Sequence, residues 1–162
     1  MSEQKTVYLS DYQPYSHVVE SVDLTFRLSP QATRVLTRLA LRPNPARPGR
    51  NDLRLDGEGL KLISCAVDGK PAAPLIDAQT LVLAAKDLPD APFILETEVE
   101  IAPEANTALE GLYMSKGMYC TQCEAEGFRK ITWYPDRPDV MSPFKVRIEA
   151  DLPILLSNAN PT

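Results

Sequence analysis

The nine residues Phe93-Ile94-Leu95-Glu96-Thr97-Glu98-Val99-Glu100-Ile101 decide the fold class. Phe93, Leu95, Val99 and Ile101 share one parity, while Glu96, Glu98 and Glu100 hold the other. Side chains of a strand alternate between faces with a period of two, whereas a helix would scatter these glutamates around its circumference. The stretch therefore reads as a strand with one face on a core and one in water.

The same period recurs on either side. From Ser21 to Leu28 the set Ser21, Asp23, Thr25, Arg27 alternates with Val22, Leu24, Phe26, Leu28, and Pro30 ends the run. From Thr33 to Arg42, Val35, Leu39 and Leu41 oppose Arg34, Arg38 and Arg42, as an antiparallel partner would. From Phe144 to Ala150, Phe144, Val146 and Ile148 oppose Lys145, Arg147 and Glu149. Shorter strands are expected at Leu53–Leu55, Leu60–Val67 and Thr80–Ala84, the second running into Asp68-Gly69, a two-residue hairpin signal because both tolerate positive φ. Pro43, Pro45 and Pro48 make the segment between the second and third strands a loop, since each lacks a backbone donor. Fifteen prolines against seven glycines also disfavour a helical bundle. The expectation is an all-β fold, an antiparallel sandwich or saddle, with one short helical turn near 127–140.

The 162 residues suit one domain. A net charge of -5, from 17 basic and 22 acidic residues, excludes a surface built to bind nucleic acid, which needs clustered Lys and Arg. No apolar run approaches the roughly 20 residues that span a bilayer, so no membrane association is expected. MSEQKTVYLSDYQP lacks the apolar segment of an export signal, and three cysteines are an odd number for a disulfide framework. A cytoplasmic protein with free thiols is expected. Leu155–Thr162 reads as the start of an apolar strand followed by a turn that leads nowhere, so the domain spanning 1–162 is expected to be incomplete at its C-terminal end.

The chemistry concentrates in Cys120–Arg129, CTQCEAEGFR. Cys120 and Cys123 have the spacing of half a zinc site, but the remaining candidates, Cys65 and His17, form no matching pair. A thiol-redox role needs a lowered thiol pKa, usually at a helix N-terminus in a βαβ unit, and the sequence shows none. The alternative is that both cysteines are small buried hydrophobes. His17 is the only histidine, expected at the surface near the first strand, and no histidine-dependent triad or HExxH motif can be assembled. Gln122, Glu124 and Glu126 lie in a segment with neither period. A carboxylate beside an amide is suited to gripping an ammonium group, although a solvated loop accounts for the same residues.

Asn106–Tyr113 (NTALEGLY), Cys120–Arg129, Ile131-Thr132, Asp136–Val140 (DRPDV) and Leu155–Asn158 (LLSN), with Leu53–Leu55 and Gly59–Leu62 ahead of them in the same order, resemble the N-terminal domain of the bacterial aminopeptidase N family, zinc metallopeptidases of the M1 family. The resemblance implies an all-β saddle that packs on a separate thermolysin-like catalytic domain and closes one side of its cleft. It implies that Gln122 and Glu124 reach into that cleft, with Glu124 helping to hold the substrate's free α-amino group. The full-length protein would be a metallo-aminopeptidase, a hydrolase that removes single residues from peptides with a free N-terminus. Zinc would belong to that full-length enzyme, because neither the HExxH motif nor the glycine-rich GAMEN loop of the family occurs here. The chain would then carry no metal ligand and no catalytic residue, would be inactive alone, and would have the missing catalytic domain of the same polypeptide as its partner. A free-standing β-sandwich interaction module, with CTQCEAEGFR as a binding loop, is the competing reading; a thiol-redox or metal domain is a third.

Overall fold

Strands with one apolar parity can bury it only against another sheet, and the computed structural model shows how this chain does so. It describes residues 8–161; Met1–Val7, the start of the stretch searched for an export signal, and Thr162 lie outside the described residues. The strands are β1 (His17–Arg27), β2 (Thr33–Pro43), β3 (Leu53–Asp56), β4 (Lys61–Val67), β5 (Lys70–Pro71), β6 (Leu75–Ile76), β7 (Thr80–Leu83), β8 (Phe93–Ile101), β9 (Gly111–Ser115), β10 (Met118–Gln122) and β11 (Phe144–Glu149). A six-stranded sheet has the order β11-β1-β2-β8-β4-β5, a three-stranded sheet the order β3-β7-β6, and β9 pairs with β10. Among the described residues no helix is long and apolar enough to cross a membrane.

The strand that decided the fold class sits inside the large sheet, between β2 and β4. Its register sets Leu95 against Leu39, Val99 against Val35 and Phe93 against Leu41. These residues share one buried cluster with Leu53, Leu55, Leu81 and Leu83 of the three-stranded sheet, so the two sheets clasp a common core. Fully burying a side chain of this kind contributes about 1.5–3 kcal/mol, which makes this cluster the main source of stability.

On the opposite face the glutamates of β8 meet basic residues across the ladder. Arg34 pairs with Glu98 at 2.9 Å and Glu100 at 3.0 Å, and Lys61 reaches Glu100 at 2.9 Å. Arg38 pairs with Asp23 and Arg42 with Glu20. Glu98 and Glu100 are consequently half-buried under their partners rather than fully in solvent. Surface pairs are worth about 0–1 kcal/mol each, so this ladder selects which face points outward more than it holds the fold.

Asp68 and Gly69 both take positive φ, 48° and 73°, and close the β4–β5 hairpin as the dipeptide predicts. The helical turn expected near 127–140 is a single 3-10 turn, Phe128–Lys130.

Three expectations are corrected. β1 begins at His17 rather than Ser21, and a register shift between Val19 and Ser21 leaves Glu20 without a partner residue in the β1–β2 ladder. Such a bulge inverts the parity, so His17, Val19 and Val22 all face the core. His17 is therefore buried, 5% exposed, and not at the surface. Its ring lies edge-on to Phe93 at 5.8 Å between centroids, and its Nδ1 is 2.9 Å from Ser16 Oγ. Second, β11 runs parallel to β1, from Val22 opposite Phe144 to Arg27 opposite Glu149. Alternation specifies faces, not strand direction, so the sequence pattern could not reveal this. Phe144 and Val146 are each 47% exposed; Ile148 packs against the core cluster, and the Phe144 ring reaches the buried Tyr134 at 5.8 Å between centroids. Third, Leu155 and Leu156 form no strand and are exposed, because no neighbouring ladder reaches them among the described residues.

Candidate functional site

β9 and β10 form a hairpin closed by Lys116 and Gly117, both at positive φ. Its second strand ends at Gln122, which lies opposite Gly111. The chain then turns back through Cys123–Gly127, where the Gly127 N–H donates to the Cys123 carbonyl at 2.9 Å, and enters the 3-10 turn. The Gln122 amide donates to the Glu124 carbonyl at 3.3 Å, tying together the two residues singled out from the sequence. Both side chains are exposed.

Two glycines allow this turn to close. A Cβ on Gly127 would lie 2.4 Å from the Gln122 carbonyl oxygen, 3.0 Å from Cys123 Cα and 3.1 Å from Gly111 N, all backbone atoms. Gly111 has φ +70° and would place a Cβ 2.7 Å from Lys130 Cβ. Close backbone approach and a left-handed conformation are the two conditions only glycine meets without strain.

Below the turn lies a network of charges. Arg129 donates from Nε to Asp136 Oδ2 at 3.1 Å and from a terminal nitrogen to the Asp136 carbonyl at 3.0 Å, and its backbone N–H reaches the same carboxylate at 3.1 Å. Glu126 pairs with Arg129 at 3.3 Å. The Asp136 N–H donates to Asp56 Oδ2 at 3.0 Å, and Asp56 exchanges two backbone hydrogen bonds with Tyr134, fastening the segment to β3. Burial pushes the Asp56 carboxyl above its usual range, with Arg129 opposing. Lys130 Nζ bridges Glu110 at 2.8 Å and Glu58 at 3.2 Å.

The network divides the two loop carboxylates that local spacing alone left equivalent. Glu126, Glu110, Glu58 and Asp136 each face a cation, while Glu124 pairs with none among the described residues. Arg129, Asp136, Lys130, Gly111 and Gly127 were not singled out from the sequence. The three-residue spacing of Glu126 and Arg129 was a local signal for their pair, but nothing local marks Asp136 or the glycine contacts.

Cys120 is half-buried and Cys123 exposed, so neither is the buried hydrophobe of the structural reading; Cys65, within β4, is. All three are free thiols. Burial pushes the Cys65 thiol up to about 11, and desolvation, then the charge of Asp136, raises Cys123. Raised thiols disfavour the thiolate that redox chemistry or metal binding uses. No group of three or more His, Cys, Asp or Glu among the described residues is arranged to hold a metal ion, so these residues do not fit a zinc site. Two surface hollows, about 350 Å³ beside Lys130 and about 290 Å³ beside His17, are not lined by Gln122 or Glu124, which stand on an open ledge.

Residues 22–162 match the Peptidase M1 N-terminal domain. Aminopeptidase N of Caulobacter vibrioides is 53% identical over 97% of this chain, a stretch that makes up 18% of its own length. Legionella pneumophila aminopeptidase A, solved in complex with aspartic acid, superposes with a TM-score of 0.78 at 32% identity, covering 86% of this chain and 17% of that one. An M1 zinc metallopeptidase from Deinococcus radiodurans shares the fold at a TM-score of 0.67 and 19% identity, over 83% of this chain and 32% of that one. The chain thus spans a small part of the proteins it matches. With the family match reaching from within β1 to the last residue, and relatives this similar in sequence and fold, the chain belongs to the peptidase M1 N-terminal domain family.

Proposed function

We propose that this chain is the N-terminal domain of a zinc aminopeptidase that removes single residues from peptide N-termini, and that it supplies Gln122 and Glu124 as the grip on the substrate's α-amino group. The observation that carries the reading is charge balance. Glu124 is the one carboxylate of its turn without a cation beside it among the described residues, and the Gln122 amide is tied to its backbone. An α-amino group has a pKa of about 7.7–8.0, so at neutral pH it presents a compact cation. A carboxylate that meets this cation at the closed end of a cleft excludes longer chains.

On this reading the zinc and its ligands belong to a catalytic domain in the remainder of a longer cytoplasmic polypeptide, and the β domain continues beyond 162. The relatives' much greater length supports that placement. The isolated chain then neither hydrolyses aminoacyl amides nor binds stoichiometric zinc; zinc-dependent turnover by the pure chain overturns the proposal.

The direct test is kinetic. Hydrogen bonds to charged groups are worth about 1.5–3 kcal/mol, so Glu124→Ala in the complete protein lowers kcat/KM for a free-amine substrate by about one to two orders of magnitude. Gln122→Ala costs less, since a neutral amide orients the amine without offsetting its charge. An unchanged kcat/KM in Glu124→Ala contradicts the reading.

A further inference from the structure

We infer that Arg129 is a positioning residue for this amine grip, acting through the turn that carries Glu124 without touching substrate; the inference rests on the reading of Glu124 just given. The Arg129 side chain is 22% exposed and that of Asp136 14%, so their pair sits beneath the surface rather than on it. The guanidinium faces three carboxyl groups, from Glu126, Asp136 and Asp56; it is ion-paired with Glu126 at 3.3 Å and hydrogen-bonded to Asp136. Through Asp136 it is anchored to Asp56 at the end of β3, whose Leu53 and Leu55 are fully buried. Through Glu126 it reaches the turn two residues from Glu124. Hydrogen bonds from Asp56 through Asp136 to Arg129, and then an exposed ion pair to Glu126, therefore lead from the core sheet to the ledge.

Two effects follow from this geometry. The turn is held at its C-terminal side by Arg129, as it is held at its N-terminal side by Gln122. Glu126, whose side chain stays 70% exposed, also has the guanidinium 3.3 Å away, so of the two loop carboxylates only Glu124 lacks a neighbouring cation among the described residues. Lysine cannot substitute. Arg129 uses a rigid planar fork to serve a carboxylate oxygen and a backbone carbonyl at once, whereas an ammonium is a point charge on a flexible stem.

The test uses the complete protein, with wild type, Arg129→Lys, Asp136→Asn and Glu124→Ala compared. Inhibition constants are measured for an amino-acid amide and for the matching des-amino carboxamide against hydrolysis of a chromogenic aminoacyl amide. Displacing a binding group by about 1 Å can cost about 100-fold, and a partly retained brace costs a fraction of that. Arg129→Lys is expected to weaken the amine-bearing ligand about 10-fold while leaving the des-amino ligand unchanged, with KM rising more than kcat falls. Asp136→Asn shifts the same ratio in the same direction. If Arg129→Lys weakens both ligands equally, or neither, while Glu124→Ala still erases the amine preference, Arg129 is merely structural and the inference is overturned. If Glu124→Ala leaves the amine preference intact, the grip itself is wrong and the inference falls with it. Thermal unfolding of each variant identifies any loss that comes from misfolding; Asp136→Asn, the milder change, decides the case if Arg129→Lys does not fold.

Discussion

Replacing Gly127 with alanine adds one methyl group at the point where the turn presses on the hairpin. The new carbon would begin 2.4 Å from the Gln122 carbonyl oxygen, and ordinary contact starts at 3.4 Å, so something must move by 1.0 Å (3.4 − 2.4). No side chain can rotate away, because all three near atoms are backbone. Gly127 has φ −82°, a value alanine adopts freely, so the effect is steric and not conformational. Overpacking of this kind costs about 1–3 kcal/mol. Because the displaced atoms carry Gln122 and flank Glu124, a shift near 1 Å is expected to lower kcat/KM for free-amine substrates by up to about 100-fold. Urea unfolding of this chain measures the first quantity and steady-state kinetics of the complete protein the second. Gly49→Ala is the control: it sits at φ +99° with open space around it, so it strains the backbone without touching the turn. If Gly127→Ala leaves both the urea midpoint and kcat/KM at wild-type values, the turn is not held as described.

Three further predictions concern titration and thiols. Burial lowers the His17 pKa below its ordinary 6.5, so full stability is present above that value and is lost as pH falls through the folded-state pKa. As the only histidine, it should account for the loss of stability between neutral pH and the carboxylate range; His17→Gln should flatten that segment of the urea-midpoint profile, and an unchanged profile refutes the assignment. Thiol titration of the native chain should leave Cys65 the slowest to react, in keeping with a thiol pushed up to about 11. Replacing Cys120 and Cys123 together by alanine should lower stability while leaving kcat/KM of the complete protein close to wild type; loss of catalysis with intact folding would revive a chemical role for the sulfurs.

Sequence legibility followed the local character of each signal. The faces of β8 and β2 were readable because burial on one side of a strand imposes a period of two, and Asp68-Gly69 was readable because its turn needs two residues that accept positive φ. His17, expected at the surface, is buried because Glu20 is an extra residue in the ladder, and such an insertion moves the core-facing positions onto the other parity before it. The parallel pairing of β11 is a property of long-range topology that alternation does not encode. At the site, the break in periodicity and the amide–carboxylate chemistry singled out Gln122, Glu124 and Glu126 as candidates, and the resemblance of the surrounding motif favoured Gln122 and Glu124. Their support was hidden, since Arg129 meets Asp136 and Asp56 only after the chain folds back on β3. Gly111 and Gly127 read as ordinary loop glycines until the backbones that meet there are in place.

The central claim is that Glu124 receives the α-amino group. The most direct measurement is the distance from its carboxylate oxygens to the ammonium nitrogen of an amino-acid amide, in a crystal structure of the complete protein with that ligand bound. A charge-assisted hydrogen bond of about 2.7–2.9 Å is predicted, with the Gln122 amide adjacent. An ammonium lodged against other groups, with Glu124 more than about 3.5 Å away and still facing solvent, contradicts it.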